Sequence, residues 1–380
     1  MAEPFKNLIG PALVRDAAHH LARVAPEFDR RTFERTALAG LDALELKARA
    51  AHVSLALQAA LPAEFARAAA ILERSLAPAR RDDDLSALQT GPAGLAGWVI
   101  WPMTEFVARV GLAEPTRALQ ALHELTQRFT AEYALRPFLL EHRELTFATL
   151  HRWLGDPSPH VRRLVSEGSR PRLPWGMQLK FLVADPRPTL PLLAALQDDP
   201  SEYVRRSVAN HLNDIAKDHP GVVADWLDEH LPAASRERRA LLKHASRSLI
   251  KRGDPRVLRA WGLGAPLRGE ARFSLAPKRV AVGEAVQLAV TLQSTSKQPQ
   301  RLVVDYVVHH VTAAGSTSPK VRKGWTLELG PHEVRQLQKS HSLRPVSTRR
   351  YHPGKHAVDL LVNGKVVAQA AFTLRVETAE

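Results

Sequence analysis

The chain has 380 residues and no cysteine. That excludes disulfides, thiolate nucleophiles, iron–sulfur clusters and cysteine-ligated zinc. No apolar run reaches the roughly 18 residues that a membrane helix needs, and the opening Met1-Ala2-Glu3-Pro4-Phe5-Lys6 lacks the charged-then-apolar order of a secretory leader. A membrane location is not expected, and a cytoplasmic one is. His19-His20 and His309-His310 lack zinc-ligand spacing, and HExxH, P-loop and strand-following GxGxxG motifs are all missing. With no serine triad in evidence either, neither a metal nor an organic cofactor is expected.

Basic residues outnumber acidic ones beyond residue 150, and acids are scarce in the last third of the chain. The net charge of +14 divides as −1 over residues 1–150, +6 over 151–265 and +9 over 266–380. A polyanionic partner gives such an excess a use, because each neutralised phosphate releases counterions. A generic basic surface is the plain alternative, and charge alone does not choose between them. Hydrophobic residues at 45% and charged residues at 24% are ordinary for a folded globular protein, and the length allows two or more domains.

What is present is an internal repeat. Asp156-Pro157-Ser158-Pro159-His160-Val161-Arg162-Arg163-Leu164-Val165 returns 43 residues later as Asp199-Pro200-Ser201-Glu202-Tyr203-Val204-Arg205-Arg206-Ser207-Val208. Recurrence at that period marks a stacked array of helix pairs of the HEAT or armadillo kind. In the second copy Asp199 is expected to cap a helix and Pro200 to open it, with Val204, Val208, Leu212 and Ile215 as its buried stripe. Arg162, Arg163, Arg205 and Arg206 fall off the stripe, and Arg238-Arg239 opens a candidate third copy. A ladder of arginine pairs suits a phosphate backbone; a solvated face with ordinary ion pairs is the other reading.

The helical pattern runs to about Trp261, with Leu- and Ala-rich stretches such as Ala37–Leu61 and Arg117–Leu150. Beyond Leu263-Gly264-Ala265-Pro266 the period changes to two, in runs at Val280–Leu292, Leu302–Val311, Trp325–Leu329 and His356–Val362. Asn363-Gly364 is a type I′ hairpin signal, since both turn positions need positive φ. About seven short strands predict an immunoglobulin-like β-sandwich. The expected organisation is an all-α HEAT-like repeat domain over 1–263, a linker at 264–270 and an all-β sandwich over 271–380.

Three acids stand out inside the basic array: Glu132, Glu167 and Asp214, separated by 35 and 47 residues. Superposing the repeats places Glu167 on Asn210, one helical turn from Asp214 along the same face. Carboxylates repel phosphates, so a pure DNA-binding surface is better without them. Hydrolysis of an N-glycosidic bond, by contrast, develops an oxocarbenium ion that negative charge stabilises, and a cationic alkylated base leaves without protonation. The plain alternative is pairing with nearby arginines, as Arg163 and Glu167 are i,i+4 neighbours. Trp175 follows Arg170-Pro171-Arg172-Leu173-Pro174, where prolines end the helix; its indole either meets a sugar or base by its face or packs the helix end. Trp153, Trp226 and Trp261 read as packing residues, and Trp98 and Trp101 fit either role.

At these residues the chain resembles the HEAT-repeat DNA glycosylases of bacterial alkylation repair, in the AlkC branch rather than the AlkD branch. The stretches carrying the likeness are Phe129-Thr130-Ala131-Glu132-Tyr133, His160 through Trp175, and Ser201 through Pro220. The resemblance covers most of residues 1–262, and some members carry a C-terminal immunoglobulin-like domain. It implies a monofunctional glycosylase of base excision repair that releases 3-methyladenine and 3-methylcytosine from duplex DNA without flipping the base. It further implies catalytic roles for Asp214, Glu167, Glu132 and Trp175. Arg163, Arg170, Arg172 and Arg206 would hold phosphates, with Arg162, Arg205 and Lys217 beside them. A bacterial cytoplasmic monomer, associated with the nucleoid when bound to DNA, is expected. The competing readings are a non-catalytic HEAT-repeat DNA-binding scaffold and a protein adaptor. For the β region, its +9 charge and the clusters Lys320-Val321-Arg322-Lys323 and Arg349-Arg350 predict an auxiliary DNA clamp.

Overall fold

The computed structural model describes residues 4–80, 82–346 and 350–375. Arg349 of the basic pair lies outside them. The chain divides into two compact units, one of Met1–His219 with Ser235–Ala245, the other of Pro220–Ala234 with Ser246–Glu380. Among the described residues no single helix is long and apolar enough to cross a membrane.

In the first unit, the helices Pro159–Gly168, Glu202–Asp218 and Arg236–Ala245 lie in succession, each packed on the next. The expected stripe holds: Val204, Val208, Leu212 and Ile215 are buried, facing a core that includes Val161, Leu164, Leu192 and Leu193. Each such side chain contributes on the order of 2 kcal/mol by burial. A single Val208→Asp change would place an unpaired charge there.

The entry to these helices differs from expectation. Ser201, not Asp199, is the N-cap of Glu202–Asp218, and its Oγ accepts from Val204 N at 3.3 Å. Ser158 is likewise the N-cap residue of Pro159–Gly168, though its hydroxyl makes no capping bond. The two aspartates stand one step back, accepting the serine amides: Asp156 Oδ1 from Ser158 N at 2.8 Å and Asp199 Oδ1 from Ser201 N at 2.9 Å. Pro157 and Pro200 disfavour helical geometry at the residue before them, so each aspartate forms a turn and the helix begins after it.

The Arg117–Leu150 stretch is also interrupted. Helices Pro115–Thr126 and Leu135–Glu141 leave residues 127–134 outside regular structure. There the Thr130 hydroxyl binds the Glu132 side chain and accepts from Glu132 N at 3.5 Å, local bonding that competes with a helix.

Among the described residues of the second unit, eight strands form two sheets: β1 (Gly269–Ala276), β2 (Arg279–Ala281), β3 (Ala285–Ser294), β4 (Gln300–Val311), β5 (Thr317–Leu329), β6 (Val334–Ser342), β7 (Gly354–Val362) and β8 (Lys365–Arg375). One sheet has the order β1-β3-β6, the other β2-β8-β7-β4-β5. Their facing side chains, among them Val286, Leu288, Tyr306, Val358 and Phe372, make the sandwich core. The expected runs fall within β2 and β3, β4, β5 and β7, and β6, Val-Arg-Gln-Leu-Gln-Lys-Ser-His-Ser, has little apolar alternation to read. Asn363 and Gly364 take positive φ of 48° and 77° as the hairpin requires. Asn363 Nδ2 also donates to Ala265 O at 2.8 Å, tying the segment after Leu263 to the β7–β8 turn.

Candidate active site

All three acids singled out from the sequence are buried in the first unit, and two arginines connect them. Arg163 donates Nη1 to Glu132 Oε2, and its Nη2 lies 3.5 Å from Glu167 Oε1. Arg170 Nη1 donates to Glu167 Oε1 at 2.6 Å while its Nε donates to Asp214 Oδ2 at 2.8 Å. Lys217 Nζ closes the series on Asp214 Oδ1 at 2.7 Å. The result is one alternating chain of charges, Glu132–Arg163–Glu167–Arg170–Asp214–Lys217, drawn from a loop and two successive repeats.

The placement of the carboxylates works against local stability. Glu167 is the second-last residue of Pro159–Gly168, and Asp214 lies near the C-terminal end of Glu202–Asp218. A negative charge at a helix C-terminus opposes the macrodipole by about 0.3–1 kcal/mol. Burying it adds desolvation, which only good pairing offsets. A rule broken repeatedly in one place is where function is expected.

The electrostatics follow from the pairing. For Glu167, burial by itself raises the carboxyl pKa, but Arg163, Arg170 and the Ser207 hydroxyl outweigh it and hold the group below its usual range. Ser207 Oγ donates to Glu167 Oε2 at 2.6 Å. Burial alone would lower Arg163 and Arg170; their carboxylate neighbours more than offset this and raise both. Burial, with Glu132 beside it, pushes the Tyr133 phenol up to about 12. Guanidinium groups occupy the space between the acids, and among the described residues no group of three or more His, Asp or Glu is arranged to hold a metal ion.

The remaining expected residues separate by environment. Trp175 stands 60% exposed on a backbone with φ of 65°. Arg206 is exposed, whereas Arg205 Nη1 donates to the carbonyls of Asp199 and Pro200 at 2.5 and 2.9 Å. Arg162 forks onto Asp199, Nε to Oδ2 at 2.6 Å and Nη2 to Oδ1 at 3.0 Å, which ties one repeat to the next. Arg172 pairs with Asp218 at 2.6 Å on the surface. So Arg163 and Arg170, expected on phosphates, sit inside the acid cluster, and Arg162 and Arg205 serve the scaffold. Trp153 and Trp226 are buried; Trp101 stacks on Tyr133 at 5.4 Å and Trp98 joins the same aromatic group.

Four participants escaped the sequence reading. Ser207 lies beside Arg206 in the repeat, where hydroxyl and stripe positions look alike. Tyr203 places its ring 5.1 Å from the Arg163 guanidinium carbon. Arg136 and Lys47 reach the Trp175 loop from distant segments. Arg136 Nε donates to Met177 O at 2.6 Å and its Nη1 to Gly168 O at 3.0 Å, while Lys47 Nζ donates to Trp175 O at 2.7 Å. Tyr203 and Ser207 lie within the repeat and Arg136 four residues after Glu132, whereas Lys47 is near no motif.

Similarity to known proteins runs the length of the chain. The family model described as "Uncharacterised protein YhaZ, C-terminal Ig-like domain" matches residues 270–376. The chain is 35% identical over 367 residues to "Uncharacterized protein YhaZ" of Bacillus subtilis (strain 168), covering 95% of this chain and 96% of that protein. A solved structure titled "Pseudomonas fluorescens alkylpurine DNA glycosylase AlkC bound to DNA containing an abasic site analog" superposes with a TM-score of 0.89. Identity there is 35%, over 98% of this chain and 100% of the other.

Proposed function

This chain belongs to the family that includes AlkC of Pseudomonas fluorescens and YhaZ of Bacillus subtilis, and from that membership we propose that it is a DNA glycosylase acting on alkylated bases. The observation that carries the proposal is the alternating chain that gathers Glu132, Glu167 and Asp214 around Arg163 and Arg170. No stability argument calls for three buried acids gathered in one place. Replacing a buried ion-pair network with apolar side chains is often neutral or stabilising.

A base alkylated at a ring nitrogen, such as 3-methyladenine or 3-methylcytosine, already carries positive charge and departs as a neutral molecule. The protein therefore need not protonate it. What remains is to stabilise the sugar cation and to direct water onto it. Asp214 takes the water: its Oδ2 is fixed by Arg170, while its Oδ1 is covered by Lys217, a half-exposed side chain that a DNA phosphate draws aside. Glu167 and Glu132 deepen the negative potential. Lys217 acts as a cation, so hydrolysis by water, without strand cleavage, is the reaction.

Trp175 and Lys217 lie on the surface, which supports action on the sugar of a lesion held within duplex rather than extruded into a pocket, unlike base-flipping enzymes. Arg206, exposed, and Arg172, paired with Asp218 near the surface, are the arginines this reading assigns to phosphates. In the β unit Lys320 and Lys323 are exposed on β5, in keeping with an auxiliary DNA contact. The enzyme acts as a monomer in the bacterial cytoplasm, on the nucleoid. Incubating the purified chain with methylated duplex and separating the released bases tests the proposal; no release would favour a non-catalytic DNA-binding scaffold.

A further inference from the structure

Trp175 combines a freely exposed side chain with a tightly held backbone. Its φ of 65° is a left-handed conformation that a bulky residue rarely adopts, and such outliers persist only where the surroundings impose them. The surroundings here are two long-range cations. Lys47, from the helix Leu46–Ala60, donates Nζ to Trp175 O at 2.7 Å. Arg136, 0% exposed, donates to Met177 O at 2.6 Å and to Gly168 O at 3.0 Å. Between them lies Gly176, over which Arg136 and Leu173 pack so closely that a Cβ there would stand 3.4 Å from Arg136 Cδ and 3.2 Å from Leu173 Cδ2. The loop is thus held on both sides of the indole and from beneath.

Stability does not account for Lys47. Its side chain is exposed, and one bond from an exposed lysine to a carbonyl that water would otherwise solvate adds little to folding. Geometry accounts for it better. An aromatic group fixed before contact loses little freedom on binding, and a small misplacement near a reacting centre slows a reaction steeply.

We propose that Lys47 and Arg136 are positioning residues of the glycosylase reaction, clamping the 171–177 loop so that the Trp175 indole is held ready against the damaged nucleoside. The proposal rests on the function argued above. It assigns neither residue a contact with DNA; both act through Trp175.

Lys47→Met keeps the aliphatic stem and removes the donor. Under single-turnover conditions with saturating protein, release of 3-methyladenine is expected to slow roughly tenfold to a hundredfold, on the scale of a small misplacement of a reacting group. Lys47→Arg is expected to recover most of the rate. In a Trp175→Ala background, Lys47→Met is expected to cost nothing further, because the group it positions is gone; a full additional loss there would overturn the proposal, as would a wild-type rate for the single variant. Arg136→Lys tests the second clamp if bulkier changes fail to fold. Acrylamide quenching, read as the difference between each protein and its Trp175→Phe counterpart, is expected to show a more accessible indole in Lys47→Met; unchanged quenching would also overturn the proposal. That optical arm needs no activity, so if the wild-type chain released no base the proposed function would fail while quenching still decided whether Lys47 pins the indole.

Discussion

Arg170 Nε donates to Asp214 Oδ2 at 2.8 Å across 44 residues of sequence, with both side chains almost wholly buried at 8% and 2% exposure. The same guanidinium holds Glu167. Removing it would leave Asp214 with the half-exposed Lys217 and Glu167 with Arg163 and Ser207. Arg170→Met is therefore expected to destabilise the first unit by about 3 kcal/mol, the low end of the cost of removing one partner from a buried ion pair. Urea unfolding measures it. A midpoint equal to wild type would show that the cross-link is not formed.

Arg162 and Arg206 occupy offset positions in the two copies of the repeat, and the structure separates their roles. Arg162 is forked onto Asp199, whereas Arg206 is exposed. Arg206→Ala should reduce the dependence of log binding constant on log salt by about one, the effect of losing one phosphate contact. Arg162→Ala should leave that slope alone and lower stability by about 1–3 kcal/mol, as it leaves Asp199 without its charged partner. Duplex titrations over a salt series, beside thermal melts, distinguish the two, and interchange of the effects would count against this division.

His211 lies wholly buried with Nδ1 donating to Ser166 O at 2.9 Å, joining two repeats. Burial brings its pKa down from 6.5 to about 4. Between those values the unfolded chain takes up a proton that the folded one refuses. Its contribution is then fully present above about pH 6.5 and is lost as pH falls toward 4, reaching about 3 kcal/mol. His211→Asn keeps a donor for Ser166 O without the titration. Unfolding measured from pH 7.5 to 4 should show a shallower decline for the variant; identical slopes would remove His211 as the cause.

The sequence showed the fold through periodicity and the site through chemistry out of place. Val204, Val208, Leu212 and Ile215 announced a helix face, and Asn363-Gly364 announced a hairpin, because those signals are local. Glu132, Glu167 and Asp214 were noticeable as acids in a basic region. What sequence could not carry was the partner of each charge. Arg163 and Arg170 look like any exposed arginine until the repeats stack and enclose them among the acids. Lys47 is farther still from legibility: it meets Trp175 across 128 residues, through a carbonyl that any residue would supply. The Asp199 cap failed on a shorter scale, displaced by the proline that follows it.

The central claim is that Asp214 directs water onto the sugar of an alkylated nucleoside, and Asp214→Asn tests it most directly. The amide retains an oxygen for Arg170 but not the charge or basicity. Release of 3-methyladenine from methylated duplex should fall by about 10²–10⁴-fold, the usual contribution of a positioned general base, while affinity for duplex bearing an abasic-site analogue stays within a few fold of wild type. Release at the wild-type rate by a folded Asp214→Asn protein would contradict the account.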